Sequence, residues 1–421
     1  MNEPAAEQVR EEVRAWLAEH WDPDLPLAEW RRRLVSSGWG CPTWPAAWFG
    51  KGFSEALGEV VQAEFRRAGA VGVASSGVRM LAAATLLEHG SEAQKGKLLP
   101  GILTGEDTWC QLFSEPGSGS DLAGLTTRAR LDGDTWIVNG QKVWTTSAHH
   151  AQYGMLLART DWDVPKHRGL SFFVLEIEQP GVEVRPLRQM NGHASFNEVF
   201  MTDARVPRDM LVGKPGGGWQ VALTTLAHER RLADGMRTWG RAERGEGRVY
   251  RELREEQARV MEPYKWYPQR AGRVDLILPV ARASGRLADP VVRQEIARAL
   301  MLEQAAQWTA RRARAARALG QPPGPEGSLG KLAASVVARA AARAHAAAVG
   351  PDALLAGENA PAEGMVAEVL LSVPAISIAG GTDEIQRNII AERVLGLPKE
   401  PRDDVDVPFR DVRRNPSNVS R

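Results

Sequence analysis

Cysteine is nearly missing: Cys41 and Cys110 are the only two in 421 residues. That excludes a disulfide framework and a zinc cluster, and it fits a reducing cytoplasm. An excess of either charge is missing too, since 53 Lys and Arg face 52 Asp and Glu for a formal net charge of +1. Neither a broad basic footprint for nucleic acid nor an acidic tail is expected from that balance. Long apolar runs are also lacking. The longest uncharged apolar stretch, Val369 to Thr382, is broken by Pro374, Gly380 and Gly381 and falls short of the ~20 residues that a membrane helix needs. The N-terminus sets Val9, Val13, Trp16 and Leu17 at helical spacing among acids and arginines, unlike the basic-then-apolar order of a signal peptide. The expectation is a cytoplasmic protein with neither a nucleic acid nor a membrane as partner. Tyrosine is scarce, at 4, whereas tryptophan reaches 14, so indoles dominate the aromatic content.

What is present is organised in three stretches. Helical periodicity runs from residue 1 to 108, with breaks at Trp21 to Pro26, Gly38 to Gly52 and Gly90 to Ser91. From Trp109 to about 213 the pattern turns to short β-rich runs. Thr126 to Leu131, Thr135 to Val138 and Gln141 to Trp144 are separated by Asp132-Gly133-Asp134 and Asn139-Gly140, which read as two tight turns of a meander. Lys214 to Gly218 (KPGGG) reads as a hinge, after which helices resume over 214–398. Asp289-Pro290 is an N-cap and first-turn pair opening a helix of about 30 residues that stops at Gly320. A second Ala-rich helix follows through Val349, and the last helix spans about Thr382 to Leu395. The segment 399–421 is expected to be a disordered tail. Within the third stretch, 240–275 is a charged insert, with 16 of 36 residues charged. The fold class expected is α+β, and no internal repeat is visible.

The segment Trp109 to Asp121 (WCQLFSEPGSGSD) is an apolar strand that stops at a proline and opens into a loop of glycines and serines. Such a loop exposes backbone N–H groups and hydroxyls without bulk, which suits close approach to a planar polar ring or a phosphate; a plain surface loop would look the same. It is neither a P-loop nor a dinucleotide fingerprint, because GK[ST] and a GxGxxG after a strand are both absent. His149 and His150 would point to opposite faces of a strand, and no histidine pair has the i, i+4 spacing of a helical metal site. No metal is expected. The run Arg311, Arg312, Arg314, Arg317 reads as a solvated helix face, with a phosphate contact as the alternative.

Five pieces together resemble the acyl-CoA dehydrogenase family: Leu112 to Asp121, Lys142 to Thr146 (KVWTT), the Gly-rich hinge into Trp219-Gln-Val-Ala, His228-Glu229-Arg230, and Gly380 to Gly396 (GGTDEIQRNIIAERVLG). The resemblance covers about residues 5 to 398 and looks most like the actinobacterial long-chain and sterol-type branch. It implies an N-terminal helical domain, a middle β-barrel-like domain and a C-terminal four-helix bundle, with FAD as cofactor. It sets Gln111, Phe113 and Ser114 along the flavin ring, Gly119 and Ser120 at its pyrimidine edge or at the substrate's pantetheine, Trp144 and Thr146 beside the flavin, and Thr382 in contact with it. Ser120 and Arg230 are the implied substrate contacts.

In many family members the residue before Gly-Thr of the last motif is the glutamate that removes the α-proton of the thioester. Here it is Gly380, which cannot be a base. Other members carry the base on a helix just before an arginine, and Glu229-Arg230 matches that place. Glu229 is therefore the expected base, with the Gly380 N–H retained as a donor to the thioester carbonyl, the kind of oriented donor that lowers the pKa of the adjacent C–H. The reaction implied is oxidation of an acyl-CoA to its trans-2-enoyl product, with electrons passing to an electron-transfer flavoprotein, in a homodimer or homotetramer. Two pieces common in the family are not found, an Arg-x-x-Phe-Gly segment and a Gly-Gly-x-Gly stretch. Alternatives are an acyl-carrier-protein substrate, a non-catalytic subunit of a heteromer, or a flavin oxidase or monooxygenase.

Overall fold

The computed structural model describes residues 5–75, 77–235, 245–318, 326–401 and 404–412, with side chains throughout except at 230–235, 317, 318 and 326. The chain forms two compact units, one of residues 1–187, 195–263 and 403–421, the other of 188–194 and 264–402.

The first unit begins with five helices, α1 (Ala6–His20), α2 (Leu27–Ser37), α3 (Glu55–Ala68), α4 (Val78–His89) and α5 (Glu92–Thr104). Their starts follow local chemistry. Ser54 accepts from Leu57 N to cap α3, and Ser91 and Gln94 form a reciprocal capping box on α5, each satisfying N–H groups that a helix leaves open. Val9, Val13, Trp30, Leu34 and Val61 are fully buried and form the core of this layer.

The strands follow: β1 (Trp109–Leu112), β2 (Arg128–Asp132), β3 (Thr135–Thr146), β4 (Tyr153–Arg159), β5 (Leu170–Glu176), β6 (Val182–Leu187), β7 (Phe196–Pro207) and β8 (Leu211–Val212). They make one mixed sheet in the order β6-β7-β3-β2-β4-β5-β8, with β1 parallel to β4. The Asp132-Gly133-Asp134 turn is present between β2 and β3. Asn139-Gly140 is not a turn: β3 runs straight through it, with a register shift against β7 at that point. The side chains of Asn139 and Asp203 bond across the two strands, and Thr127 packs so close to Gly140 that a Cβ there would lie 2.4 Å from its Oγ1. The dipeptide thus serves close approach rather than reversal.

Two more helices, α6 (Gly218–Gly235) and α7 (Arg248–Met261), belong to this unit by their contacts. Gly218 lies against the backbone of Ser171, where a Cβ would come within 2.5 Å, so α6 starts in tight contact with β5. Part of the charged insert, 240–244, lies outside the described residues. Within its described part α7 is an amphipathic helix that buries Val249, Tyr250 and Leu253, and Glu256 on α7 pairs with the buried Arg31 (2.6 Å) and Arg79 (2.7 Å).

The expected disordered tail is ordered over 404–412. Phe409 is 1% exposed, its N–H bonds to Val164 O at 2.9 Å, and its ring lies 5.3 Å from that of Trp162. A buried aromatic residue in a charged tail, with backbone bonds beside it, anchors the segment.

The second unit contains α8 (Tyr267–Arg270), α9 (Ile277–Ala283), α10 (Pro290–Ala318), α11 (Glu326–Val349), α12 (Met365–Ser372) and α13 (Asp383–Arg393). Asp289 accepts from Val291 and Val292 N–H at the start of α10, as its sequence predicts; the expected stop at Gly320 lies outside the described residues. The core is alanine-rich, with Ala340, Ala341, Ala344 and Ala348 facing Ile277, Val292 and Ile296, so small side chains let α10 and α11 pack closely. No described helix is long and apolar enough to cross a membrane.

Candidate active site

The site in the first unit is built where β1 ends. Cys110 and Leu112 point into the core at 0% exposure while Gln111 faces the other way, half-buried. Past Leu112 the chain leaves the sheet. Phe113 is buried edge-on against Phe172 with centroids 5.9 Å apart, and Ser114 O accepts from Val143 N at 2.9 Å, which ties the loop to β3.

A buried ion pair reinforces that tie. Glu115 accepts from Lys142 Nζ (2.9 Å), Thr126 N (2.7 Å), Thr126 Oγ1 (2.9 Å) and Thr127 N (2.8 Å), while Lys142 also donates to Phe113 O at 3.0 Å. Burial alone would raise the carboxyl's pKa, but the ammonium and the N–H donors outweigh it and bring it down to about 2. Neither residue was assigned a role from sequence, yet both stand as lone charges inside apolar or small-residue runs, which is a readable signal of a satisfied buried pair.

On β3 the register slips between Lys142 and Thr145. Trp144 sits in that bulge at φ +61°, in the left-handed region, and is 56% exposed with its ring edge-on to Phe196 at 5.6 Å. A tryptophan is not in the core here; the bulge turns it outward. A bulky residue held in this strained conformation and presented to solvent is a candidate binding surface. Thr146, half-buried, follows it, and Asn197 Nδ2 holds Thr145 O at 3.0 Å.

Glu229 comes to this place from α6. Gln111 Nε2 donates to its Oε2 at 3.3 Å. One turn earlier Thr225 meets Thr85 on α4 at 2.8 Å between hydroxyls, a buried bond that sets the rotation of α6. Gln111, Phe113, Ser114, Trp144, Thr146 and Glu229 thus share one unit, and Gln111 and Glu229 are in direct contact. Gly119 and Ser120 lie exposed on the same loop, with nothing within 4 Å of a Cβ at 119. The Arg230 side chain lies outside the described residues.

Gly380 and Thr382 belong to the second unit. Thr382 caps α13, its Oγ1 accepting from Ile385 N at 3.3 Å. Gly380 and Gly381 have φ of +68° and +86°, and their carbonyls accept from Gln386 Nε2 at 3.2 and 3.3 Å. Asp383 is buried beside Ser335 (2.9 Å) and Arg339 (2.7 Å); burial opposes its ionisation, but those bonds hold it below the usual carboxylate range. His149 and His150 are not on a strand. They occupy a short 3-10 turn with rings 4.0 Å apart, and His149 contacts Asn197.

These residues fit a flavin. An exposed indole gives an apolar wall, Gln111, Ser114 and Thr146 offer side-chain donors to a polar ring edge, and Gly119 leaves open space for close approach. Among the described residues, no group of three or more His, Cys, Asp or Glu is arranged to hold a metal.

Three family profiles match in sequence order: the N-terminal domain of acyl-CoA dehydrogenase over residues 1–106, the middle domain over 110–204 and the C-terminal domain over 279–395. Acyl-CoA dehydrogenase IpdE1 of Mycobacterium tuberculosis is 34% identical across 94% of this chain and 98% of its own. FadE34 of the same organism is 36% identical over 93% of this chain and 49% of its own length. Among solved structures, the steroid ACAD Tcur3481-Tcur3483 superposes with a TM-score of 0.63 at 26% identity, covering 95% of this chain and 99% of that one. The ChsE4-ChsE5 complex of M. tuberculosis gives 0.60 at 26%, with the same coverages.

Proposed function

The chain belongs to the acyl-CoA dehydrogenase family and is an oxidoreductase of acyl-CoA thioesters; from that premise we propose that Glu229 is its base and that the product is the trans-2-enoyl thioester. One observation carries this reading: the Gln111–Glu229 contact joins the helix carboxylate to the strand whose end opens into the Ser-Glu-Pro-Gly loop. Position 380, where many relatives hold the base, is a glycine in the left-handed region.

Gln111 orients the Glu229 carboxylate through its amide. Glu229 takes the α-proton onto a carboxylate oxygen. Gln111, Phe113, Ser114, Gly119, Ser120, Trp144, Thr146 and Thr382 are the residues proposed to hold FAD. When bound, FAD supplies at its N5 the acceptor for the hydride leaving the β-carbon. Gly380 keeps its proposed role as a backbone donor to the thioester oxygen, whose polarisation acidifies the α-carbon, and Ser120 and Arg230 are the proposed substrate contacts. An electron-transfer flavoprotein is the proposed electron acceptor, and the acyl group is proposed to be long or sterol-derived.

Glu229→Gln, purified with its flavin, tests the base. Anaerobic bleaching of the flavin by acyl-CoA should slow by roughly 10²- to 10⁴-fold while flavin content is retained. Bleaching at the wild-type rate refutes the assignment. A parallel series with carrier-protein thioesters decides between the two carriers.

A second reading is favoured by the absence of an Arg-x-x-Phe-Gly segment and by the paired names of the two solved relatives: the chain works as one subunit of a heteromer. A purified single chain that is yellow and active excludes it.

A further inference from the structure

The C-terminal segment docks on the turn between β4 and β5, residues 160–169, and the docking is built from backbone and side chains together. Phe409 N and Arg410 N bond to Val164 O (2.9 Å) and Trp162 O (3.0 Å), and Pro408 bridges Pro165. The Phe409 ring lies 3.3 Å from the guanidinium carbon of Arg159, a fully buried residue whose nitrogens donate to Ala123 O, Leu125 O and Lys166 O. Arg410 pairs with Asp163 at 2.9 Å.

Lys166 stands where this docking meets the site. Its ammonium lies 3.0 Å from Asp404 of the tail and 3.1 Å from Asp121, the last residue of the Gly-Ser-Gly-Ser-Asp loop, and its side chain is only 15% exposed. Asp121 and Leu122 carbonyls in turn accept from Ser118 Oγ within that loop. The tail therefore touches the loop twice: through Lys166 to Asp121, and through Arg159 to the carbonyls just beyond it.

We propose that residues 404–412 are a strap, and that through it Lys166 is a positioning residue for the Gly119–Asp121 loop and for the thioester the loop receives. The second half of this statement rests on the substrate role proposed above for Ser120. A loop of glycines and serines has many backbone states to lose when ligand binds. A strap that removes some beforehand lowers that cost and improves binding more than turnover.

The test uses the full-length flavoprotein as wild type, Phe409→Ala, Asp404→Asn and Asp404→Glu. Without ligand, amide exchange of 116–124 should rise in Phe409→Ala and Asp404→Asn and return toward wild type in Asp404→Glu. Exchange that is unchanged in both overturns the strap, whatever the enzyme's substrate proves to be. With the straight-chain acyl-CoA that best reduces the wild-type flavin, Asp404→Asn should raise KM about threefold, the size expected of a partly exposed ion pair, with kcat and flavin content kept. Raised exchange with unchanged KM overturns the positioning role. Asp404→Asn keeps the buried Phe409, so the test stands even if Phe409→Ala folds poorly.

Discussion

Lys142 is the residue on which the geometry of the site most depends. It is fully buried, and it joins the carbonyl of Phe113 and the carboxylate of Glu115 on the loop to β3. Lys142→Met should cost about 3 to 5 kcal/mol, because it leaves a buried carboxylate without its counterion; urea unfolding measures this. Glu115 makes the pair sensitive to pH in one direction. Its folded pKa of about 2 lies below the ordinary unfolded value of about 4.3, so its contribution is complete above the unfolded value and is lost as pH falls toward 2. Wild type should exceed Glu115→Gln in stability at pH 6, and the gap should narrow steadily toward pH 3. Trp144 behaves oppositely. Being exposed, Trp144→Ala should move stability by no more than about 0.5 kcal/mol while the flavin-to-protein absorbance ratio of the purified protein falls.

At the scale of elements, what was legible followed local chemistry. The Asp289-Pro290 start of α10, the break at Gly90 to Ser91 before α5 and the Asp132–Asp134 turn all depend on residues a few positions apart. What was not legible depends on distant partners. Asn139-Gly140 carries the same turn signal, and only the pairing of β3 with β7 and the approach of Thr127 show that the strand continues. The charged insert has no role in the sequence reading, and only the structure shows Glu256 meeting Arg31 and Arg79, 225 and 177 positions away. That pair of arginines is nearly inaccessible, so Glu256→Gln should destabilise by about 3 kcal/mol. The loss should appear in thermal unfolding while the flavin spectrum is unchanged.

For the whole molecule, the family was readable from five short motifs and the order of helices, sheet and helices from periodicity, while the division into compact units was not. Of the expected site residues, Glu229 falls in the first unit and Gly380 and Thr382 in the second. Assembly offers a further test. On α10, Met301, Ala305 and Trp308 fall at i, i+4 and i+7 and are exposed, Met301 at 64% and Trp308 at 62%. An apolar stripe of this kind on a long helix calls for a covering partner. Met301→Glu with Trp308→Glu should lower the mass measured by light scattering toward that of one chain; an unchanged mass assigns assembly to another face.

Gly380 has a consequence for where a base can sit. Its Cα has room above it, since a Cβ at this position would meet only Lys331 Cε within 4 Å, at 3.8 Å, but its φ is +68°. A side chain added there would start with an unhindered Cβ and a backbone penalty of roughly 1 to 2 kcal/mol. On the proposal that Glu229 is the base, a glutamate placed at 380 would take over only at that backbone cost, so conformation as well as chemistry favours a carboxylate on the helix.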